Sequence, residues 1–361
     1  MTDDCLKLTI YFGESDRVGR VLLSDALMRL FDDSGVQVAV LLRATEGFGI
    51  KQQLHTQRLL TLSEDLPLVA IAVDRREKLE ALLPEVQSLV EGGLITLERA
   101  RLVAGEVTKV ELPDEPHEAT KITLYLGRAE RADGRPAYVA AVDLLRRHGL
   151  DGATVLLGVD GMAHSARRRA RFFSRNTNVP LMIIASGQSE QVRSALAPLE
   201  RLLANPLLTL ERVRVCKRDG VKLAEPQQVP AMDDMGLHVW QKLMVHAAES
   251  DRHDAHALYL QLIRRLREEG ATGATALRGI WGYSGRRDPH GDRFWSLHRG
   301  VPVVTVVVDQ PSAIQRWWRV VDEVTDEAGL VTSEIVPAFH AVGPGIQRGD
   351  LKLARRVGMI L

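Results

Sequence analysis

A charged motif that occurs twice in this sequence contains the residue types that bind anions. KLTIYFGESDR runs from Lys7 to Arg17, and KLMVHAAESDR runs from Lys242 to Arg252. The apolar letters differ between the copies and the charged letters stay, whereas a packing motif would retain its apolar letters. Two interpretations are open: serine and aspartate satisfy free N–H groups before a helix, or the arginines bind an anionic ligand. The candidate residues are Glu14, Ser15, Asp16, Arg17, Ser250, Asp251 and Arg252.

Arginines and glycines that follow the next predicted strand form a second set of candidates. Arg43 and Arg278 each end a strand beside a glycine-containing turn. Such an arginine forms a structural ion pair or holds a phosphate with its planar guanidinium group, and both interpretations are open. We expect the turn glycines to adopt a left-handed backbone, and a phosphate cradle is the alternative. The turn residues are Glu46, Gly47, Phe48 and Gly49 in the first copy, Gly161 in the second and Gly282 in the third.

Two histidines each lie three residues before an arginine, His55 before Arg58 and His290 before Arg293. A histidine that binds a metal needs further ligands, and no Cys/His/carboxylate cluster at ligand spacing accompanies either one. The sequence therefore predicts hydrogen-bonding or solvated imidazoles and no metal site. The ligand-binding candidates here are His55, Arg58, His290 and Arg293.

A basic stretch and a tryptophan pair complete the candidates. ARRRARFFSR, residues 166–175, is read first as a solvated face. Its second interpretation is a contact with a nucleic acid, an acidic protein or an anionic ligand. For Trp317 and Trp318 we expect at least one ring in the core, since an exposed pair would indicate a partner surface.

The elements that position these residues follow from an internal repeat. A shift of 235 residues superposes Gly35 on Gly270 and Asp74 on Asp309, and a shift of 114 places TKITLYLGRAER of residues 120–131 on the first motif. The chain is therefore three copies of one unit of about 100 residues. We predict domains at residues 1–113, 119–226 and 237–361.

Periodicity within one copy predicts the order β-α-β-β-α-β. Strand patterns cover residues 7–13, VQVAVLLRAT, LPLVAIAVD and LITLERARLV, and helical spacing connects Leu23, Leu27 and Phe31 before Gly35. This order is that of a ferredoxin-like sheet with two helices on one face. The predicted fold class is α+β: three tandem ferredoxin-like domains arranged as an intramolecular pseudo-trimer, in which each copy covers another's bare sheet face.

Composition limits the compartment and the partners. The 361 residues carry 47 basic and 47 acidic side chains, which gives no overall charge for nucleic acid or membrane binding. Two cysteines indicate no disulfide framework, and the apolar runs have the length of strands. We expect a cytoplasmic protein that is not inserted in a membrane, and a monomer or a low-order oligomer of pseudo-trimers.

The motifs of the first copy resemble the PII-like family catalogued as domain of unknown function 190. They are KLTIYFGESDR, the EGFG of residues 46–49 and LHTQRLLTLSEDLP of residues 54–67. The third copy keeps ESDR and HGDRFWSLHRGVP, and the second has DGMA in place of EGFG. The resemblance implies small ligands, often adenine nucleotides, bound between domains, with the polar segment after GFG as a regulatory loop. It also allows contact with a membrane transporter or channel.

No enzyme signature accompanies this resemblance: the sequence has no nucleophile elbow, P-loop or dinucleotide fingerprint. We therefore predict a non-enzymatic PII-like signalling protein that binds a small anionic ligand, for which a nucleotide is one candidate, between repeats, and that carries no other cofactor. Clefts involving the first and third copies are the better candidates. The alternative function is a ligand-free scaffold or adaptor whose loops contact a membrane transporter or channel.

Overall fold

A computed structural model describes residues 4–49, 55–56, 66–104, 118–163, 166–169, 179–203, 206–284, 289–291 and 300–355. Repeat 1 is taken as residues 4–104, repeat 2 as residues 118–222 and repeat 3 as residues 240–350. The elements of repeat 1 are β1 (Asp4–Gly13), β2 (Arg17–Val18), β3 (Val21–Leu22), α1 (Leu23–Asp33), β4 (Val38–Arg43), β5 (Glu46–Phe48), β6 (His55–Thr56), β7 (Pro67–Arg75), α2 (Arg76–Leu89) and β8 (Gly93–Ala104).

The second and third repeats follow a similar course, although in repeat 2 the single strand β12 takes the place of β4 and β5. Repeat 2 contains β9 (Glu118–Gly127), β10 (Arg131–Ala132), β11 (Arg135–Pro136), α3 (Ala137–Arg147), β12 (Gly152–Ala163), β13 (Ala166–Arg169), β14 (Pro180–Gln188), α4 (Ser189–Leu202), β15 (Leu207–Arg218) and β16 (Val221–Lys222). Repeat 3 contains β17 (Trp240–Ala248), β18 (Arg252–His253), β19 (His256–Ala257), α5 (Leu258–Glu268), β20 (Ala274–Arg278), β21 (Trp281–Ser284), β22 (His290–Gly291), β23 (Pro302–Asp309), α6 (Pro311–Val324), β24 (Leu330–Val336), β25 (Ala338–Gly343) and β26 (Ile346–Asp350).

The helices form where the apolar spacing predicts them. In α1 the buried side chains include Leu23, Leu27 and Phe31, which recur at helical spacing and pack on the sheet. The helix then ends before Gly35, whose φ of +61° is a conformation that glycine adopts without steric cost. This helix therefore covers one face of the strands that follow it.

The first strand of each repeat is central to that repeat's part of the sheet. β1 pairs antiparallel with β7 and β8, and β7 pairs with β4. β9 occupies the same place in repeat 2, and β17 in repeat 3. The ends of these strands carry the predicted site residues.

The strands also cross the borders between repeats, and the prediction of three tandem ferredoxin-like domains is wrong. Eight antiparallel strands of repeats 1 and 2 close a barrel in the order β1-β8-β15-β9-β14-β12-β4-β7, and they belong to one 20-stranded sheet. The physical reason is strand length. β8, β12 and β15 have 12 residues each, so one part of each strand pairs within its own repeat and another part pairs with a neighbour.

The apolar residues separate into clusters on the two faces of this sheet. Three large clusters each contain the helices of one repeat. A fourth cluster lies on the opposite face and combines residues of all three repeats, among them Val40, Met182 and Val304. Both faces of the central strands are therefore buried. Within the described ranges, no helix has the length and apolar character that a membrane crossing would need.

Candidate functional site

The repeated ESDR motif forms a turn at the end of the first strand. The Asp16 carboxylate accepts a hydrogen bond from the Gly13 N–H at 2.8 Å, and Asp251 accepts one from Ala248 at 2.7 Å. In repeat 2, where the motif reads RAER, Glu130 accepts the corresponding N–H at 2.6 Å. The acidic residue therefore has the same structural task in all three copies.

The two strand-end arginines are bound to glutamates of the same motif. Arg43 donates to Glu14 through Nε at 3.2 Å and Nη2 at 2.7 Å, and Arg278 donates to both oxygens of Glu249 at 3.0 and 2.9 Å. Of these four residues, Glu249 was missed by the sequence analysis. The signal was present, because repeat 2 replaces both partners of the pair together, with Arg128 and Leu157.

The remaining motif residues lie at the protein surface. Ser15 and Ser250 are exposed. Arg17 donates to the Arg20 carbonyl at 3.4 Å, and Arg252 donates to the Glu249 carbonyl at 2.8 Å. Both arginines begin the two-stranded hairpin that precedes the first helix of their repeat, so their main-chain contacts stabilise that hairpin.

The EGFG turn of repeat 1 connects repeat 1 to repeat 3. Glu46 and Phe48 are buried, and β5 pairs with β20 so that Gly47 faces Thr275. A β-carbon on Gly47 would lie 2.9 Å from the Ala274 carbonyl oxygen and 3.0 Å from Pro67. The predicted left-handed turn is wrong for Gly47. Its glycine is required by the close approach of the neighbouring strand.

The corresponding glycines show the same crowding around the molecule. A β-carbon on Gly161 would lie 2.4 Å from the Ala39 carbonyl oxygen, and one on Gly282 would lie 2.0 Å from that of Ala153. These two residues do have positive φ angles, +154° and +147°. Repeat 2 thus contacts repeat 1, and repeat 3 contacts repeat 2, in the way that repeat 1 contacts repeat 3.

The residue after each of these glycines enters the core of the neighbouring repeat. Phe48 of repeat 1 packs in the helical core of repeat 3, Met162 of repeat 2 in that of repeat 1, and Tyr283 of repeat 3 in that of repeat 2. The Tyr283 hydroxyl also donates to the Leu150 carbonyl at 3.1 Å. The GFG phenylalanine is therefore a packing residue between repeats.

The other sequence candidates are placed only in part. His55 pairs with Gly47 across β5 and β6, and His290 pairs with Gly282 across β21 and β22. Arg58 and Arg293 lie outside the described residues, as do residues 170–175 of the basic stretch, while residues 166–169 form β13. Trp317 and Trp318 are 3% and 4% exposed, so the prediction that at least one ring is in the core is confirmed.

A cavity of about 140 Å³ lies in the cleft between repeats 1 and 3. We call it the 1–3 cavity. Its lining includes Tyr11, Phe12, Asp16, Phe48, Gly49, Gly92, Leu94, Gly273 and Val306. Gly49 and Gly92 have no positive φ and no atom within 4 Å of an added β-carbon. Neither backbone strain nor crowding therefore explains these two glycines, and the space beside them belongs to the cavity.

In each of the other two clefts, at least one of the equivalent positions holds a residue other than glycine. By the repeat shifts, Gly49 and Gly273 correspond to Ala163 and Val38, which pair directly between repeats 2 and 1. Between repeats 3 and 2 the equivalent pair is Ser284 and Gly152. The cleft between repeats 1 and 3 is thus the one with glycine on both sides, and the three clefts are unequal.

A closed ring of buried ion pairs lies on the central face of the sheet, which is the face opposite the helices. We call it the ion ring; in order, its members are Lys7, Glu98, Lys242, Glu334, Lys121 and Glu211. Each repeat contributes one lysine from its first strand and one glutamate from its fourth. Lys7 contacts Glu211, and the other five contacts are 2.5–3.0 Å long.

The three glutamates of the ion ring could together hold a metal ion, since their carboxylate oxygens lie within 4.8 Å of one another. The lysine ammonium groups already occupy that position, and three positive charges balance three negative ones. A cation would have to displace a buried ammonium group, which favours a structural role for the ring. The sequence signal was a charged residue inside each strand pattern, repeated in all three copies.

Acid should weaken the ion ring. Burial raises the pKa of Glu334, but Lys121 and Lys242 outweigh it and lower this pKa to about 2; the pKa of Glu98 is lowered in the same way. Since the folded pKa values lie below the ordinary value of 4.5, this stabilisation is complete above that pH and is lost as the pH falls towards about 2. We expect urea titrations to show the free energy of unfolding decreasing in this window. An unchanged free energy between about pH 5 and about pH 2 would contradict the ring's contribution.

Comparison with known sequences gives a separate match for each of the three repeats. The sequence pattern described as DUF190, an uncharacterised ACR family, matches residues 5–102, 119–215 and 240–338. The chain belongs to the DUF190 family. This assignment agrees with the resemblance seen in the motifs and covers each repeat from its first strand to its fourth.

Single-repeat proteins are among the relatives of this DUF190 chain. Two UPF0166 proteins of Aquifex aeolicus are 35% and 27% identical over 80 and 99 residues, covering 22% and 27% of this chain and 82% and 91% of their own lengths. A UPF0166 protein of Methanocaldococcus jannaschii is 32% identical over 89 residues, 25% of this chain and 82% of its own. A solved anthrone oxidase-like protein aligns at 10% identity over 59% of this chain and 94% of its own, with a TM-score of 0.17.

Proposed function

We propose that this DUF190 protein is a PII-like regulatory protein that binds a small molecule in the 1–3 cavity and catalyses no reaction on it. The observation that carries the proposal is the pair Gly49 and Gly92. Both border the cavity, and neither has a conformation or a close neighbour that requires glycine. Because these two glycines have no side chain, a space of ligand size remains at the boundary of two repeats. Such boundaries are a common location for binding sites.

The size and lining of the 1–3 cavity favour a ring-shaped ligand. An apolar protein cavity of roughly 150 Å³ accepts one benzene molecule, and this cavity has a volume of about 140 Å³. Phe12, Phe48, Leu94 and Val306 provide apolar walls. Asp16 adds a carboxylate that accepts a hydrogen bond. These groups fit a flat heteroaromatic ring that carries an amino group, as a nucleobase does.

The anionic character that the sequence predicts for the ligand has less support. Arg43 and Arg278 are bound to Glu14 and Glu249, and the described lining contains no cationic side chain. An anionic group on the ligand would therefore extend beyond this lining, while the ring occupies the cavity.

A binding role fits the chemistry of the lining better than a catalytic one. Among the described residues of the lining, the titratable side chains are Asp16 and Tyr11. Asp16 already accepts the Gly13 N–H, and burial raises the pKa of Tyr11 to about 12. A tyrosine with this pKa is not suited to exchange a proton near neutral pH, which general acid–base catalysis would require.

Filling the cavity should abolish ligand binding and leave the fold intact. We expect a thermal-shift screen of adenine, adenosine, adenine nucleotides and cyclic dinucleotides to yield a compound that raises the Tm of the wild-type protein. Gly92→Leu places a side chain in the open space beside Gly92, so it should keep the wild-type Tm and lose the shift. Glu91→Leu is the matched control, because Glu91 is exposed and does not line the cavity.

An unchanged shift in Gly92→Leu would place the ligand elsewhere and reject the 1–3 cavity as its site. If no compound shifts the wild-type Tm, and a pull-down recovers a membrane transporter or channel, the adaptor function would be favoured instead.

A further inference from the structure

A second cavity, of about 550 Å³, lies within repeat 3. It is bordered by the beginning of β17, the loop before β20, the beginning of α6, and β26. Three of its lining residues have basic side chains: His238, Arg316 and Arg348. We call it the repeat 3 cavity. It adjoins the 1–3 cavity at Thr272, which lines both.

Among the described residues, the two arginines of the repeat 3 cavity have no ion-pair partner. Arg316 lies over the Trp317 ring, with its guanidinium carbon 5.2 Å from the ring centre. Arg348 donates to the Thr272 hydroxyl at 3.1 Å. Within the described part of the chain, neither guanidinium group forms a salt bridge with a carboxylate, so most of their N–H groups are available to a ligand.

The acidic residue of this cavity, Asp309, has a structural role. Asp309 accepts hydrogen bonds from the Gln310 N–H at 2.8 Å, the Thr272 hydroxyl at 3.0 Å and the Trp317 indole N–H at 3.3 Å. Its charge is therefore already stabilised by neutral donors. The lining keeps a net positive charge from the two arginines.

Comparison of the repeats shows that the fold does not require the two arginines of this cavity. In repeat 1 the equivalent Asp74 pairs with Lys78 at 3.1 Å. Repeat 3 has Ala313 at the position of that lysine. The position of Arg316 is Ala81 in repeat 1 and Ser194 in repeat 2. The cationic lining thus belongs to repeat 3, and it is not a common requirement of the fold.

We propose that the repeat 3 cavity binds a small oxyanion, a phosphate group or its chemical equivalent, through Arg316 and Arg348. A guanidinium group offers paired N–H donors that match phosphate oxygens. The beginning of α6 adds the positive end of a helix dipole on the same side, since Gln310 and Ala313 also line the cavity. Arg316 and Arg348 do not line the 1–3 cavity, and this proposal does not depend on the function proposed for that cavity.

The test is a titration of the full chain with inorganic phosphate at constant ionic strength, with tryptophan fluorescence and calorimetry as readouts and chloride as the reference anion. We expect saturable phosphate binding in the wild type, weakened at least tenfold by Arg316→Ala and by Arg348→Ala. Arg319→Ala is the matched control, because Arg319 is an exposed residue of α6 outside the cavity. A parallel titration with phenyl phosphate distinguishes a free anion from an esterified phosphate group.

Both arginines are exposed, so the variants should keep the wild-type unfolding curve. Equal phosphate affinity in the double variant and in Arg319→Ala would overturn the proposal, as would a wild-type response that chloride reproduces. Gly92→Leu should bind phosphate like the wild type, which distinguishes failure of this site from failure of the 1–3 cavity.

Discussion

Lys242→Met is expected to lower the free energy of unfolding by about 3–5 kcal/mol, because it leaves three buried glutamates of the ion ring with only two lysines and so one uncompensated negative charge. Lys242 lies 2.6 Å from Glu98 and 2.9 Å from Glu334, and all three side chains are only 4% exposed. Methionine retains most of the volume of lysine, so the loss of stability would come from the missing charge and not from a cavity. Urea-induced unfolding, followed by far-ultraviolet circular dichroism, measures it.

Two further variants make this test specific. Lys222→Met removes a surface ion pair with Glu225 whose side chains are 44% and 55% exposed, and it should change stability little. A variant with Lys242→Met and Glu334→Gln leaves two lysines and two glutamates in the ion ring, so it removes the net charge and should recover part of the loss. If Lys242→Met is as stable as Lys222→Met, the ion ring does not stabilise the fold.

Phe48→Ala should cost about 3–5 kcal/mol, the usual range for deleting a buried aromatic side chain. Phe48 belongs to repeat 1 in sequence and to the core of repeat 3 in space. The Phe48→Ala substitution therefore creates a new cavity in the apolar cluster that contains side chains of α5 and α6. We expect amide hydrogen exchange to accelerate in these two helices more than in α1 and α2, in addition to the loss measured by urea unfolding.

Phe48→Leu is the matched control, since it keeps most of the apolar volume and should cost below about 1.5 kcal/mol. Faster amide hydrogen exchange confined to α1 and α2 would contradict the placement of the Phe48 side chain in the core of repeat 3. The same experiment with Met162→Ala should then affect α1 and α2, because Met162 packs in the core of repeat 1.

The sequence was informative where structure depends on neighbours along the chain. The spacing of Leu23, Leu27 and Phe31 predicts α1, and Gly35 marks its end, because both signals are local. The ESDR motif shows the limit of such reasoning. A turn acceptor and an anion site use the same residue types, and only the contacts of Asp16 and Glu14 assign these residues to the turn and the Arg43 ion pair.

The predicted fold class failed for a related reason. A strand pattern shows that β8 or β15 exists, and it does not show that one end of the strand pairs with another repeat. Glycines were misassigned in the same way. Gly47 was expected to serve its own backbone, and the structure places the Ala274 carbonyl, more than 200 positions later in the chain, where its side chain would be.

By itself the sequence determined that one unit is written three times, and it located most of the helices and strands of that unit. Tertiary structure alone decided which repeat receives Phe48, which cleft stays open beside Gly49 and Gly92, and how six charges close the ion ring. The physical reason is distance along the chain. Lys7 and Glu211 are 204 residues apart, and periodicity within a strand carries no information about a partner so remote.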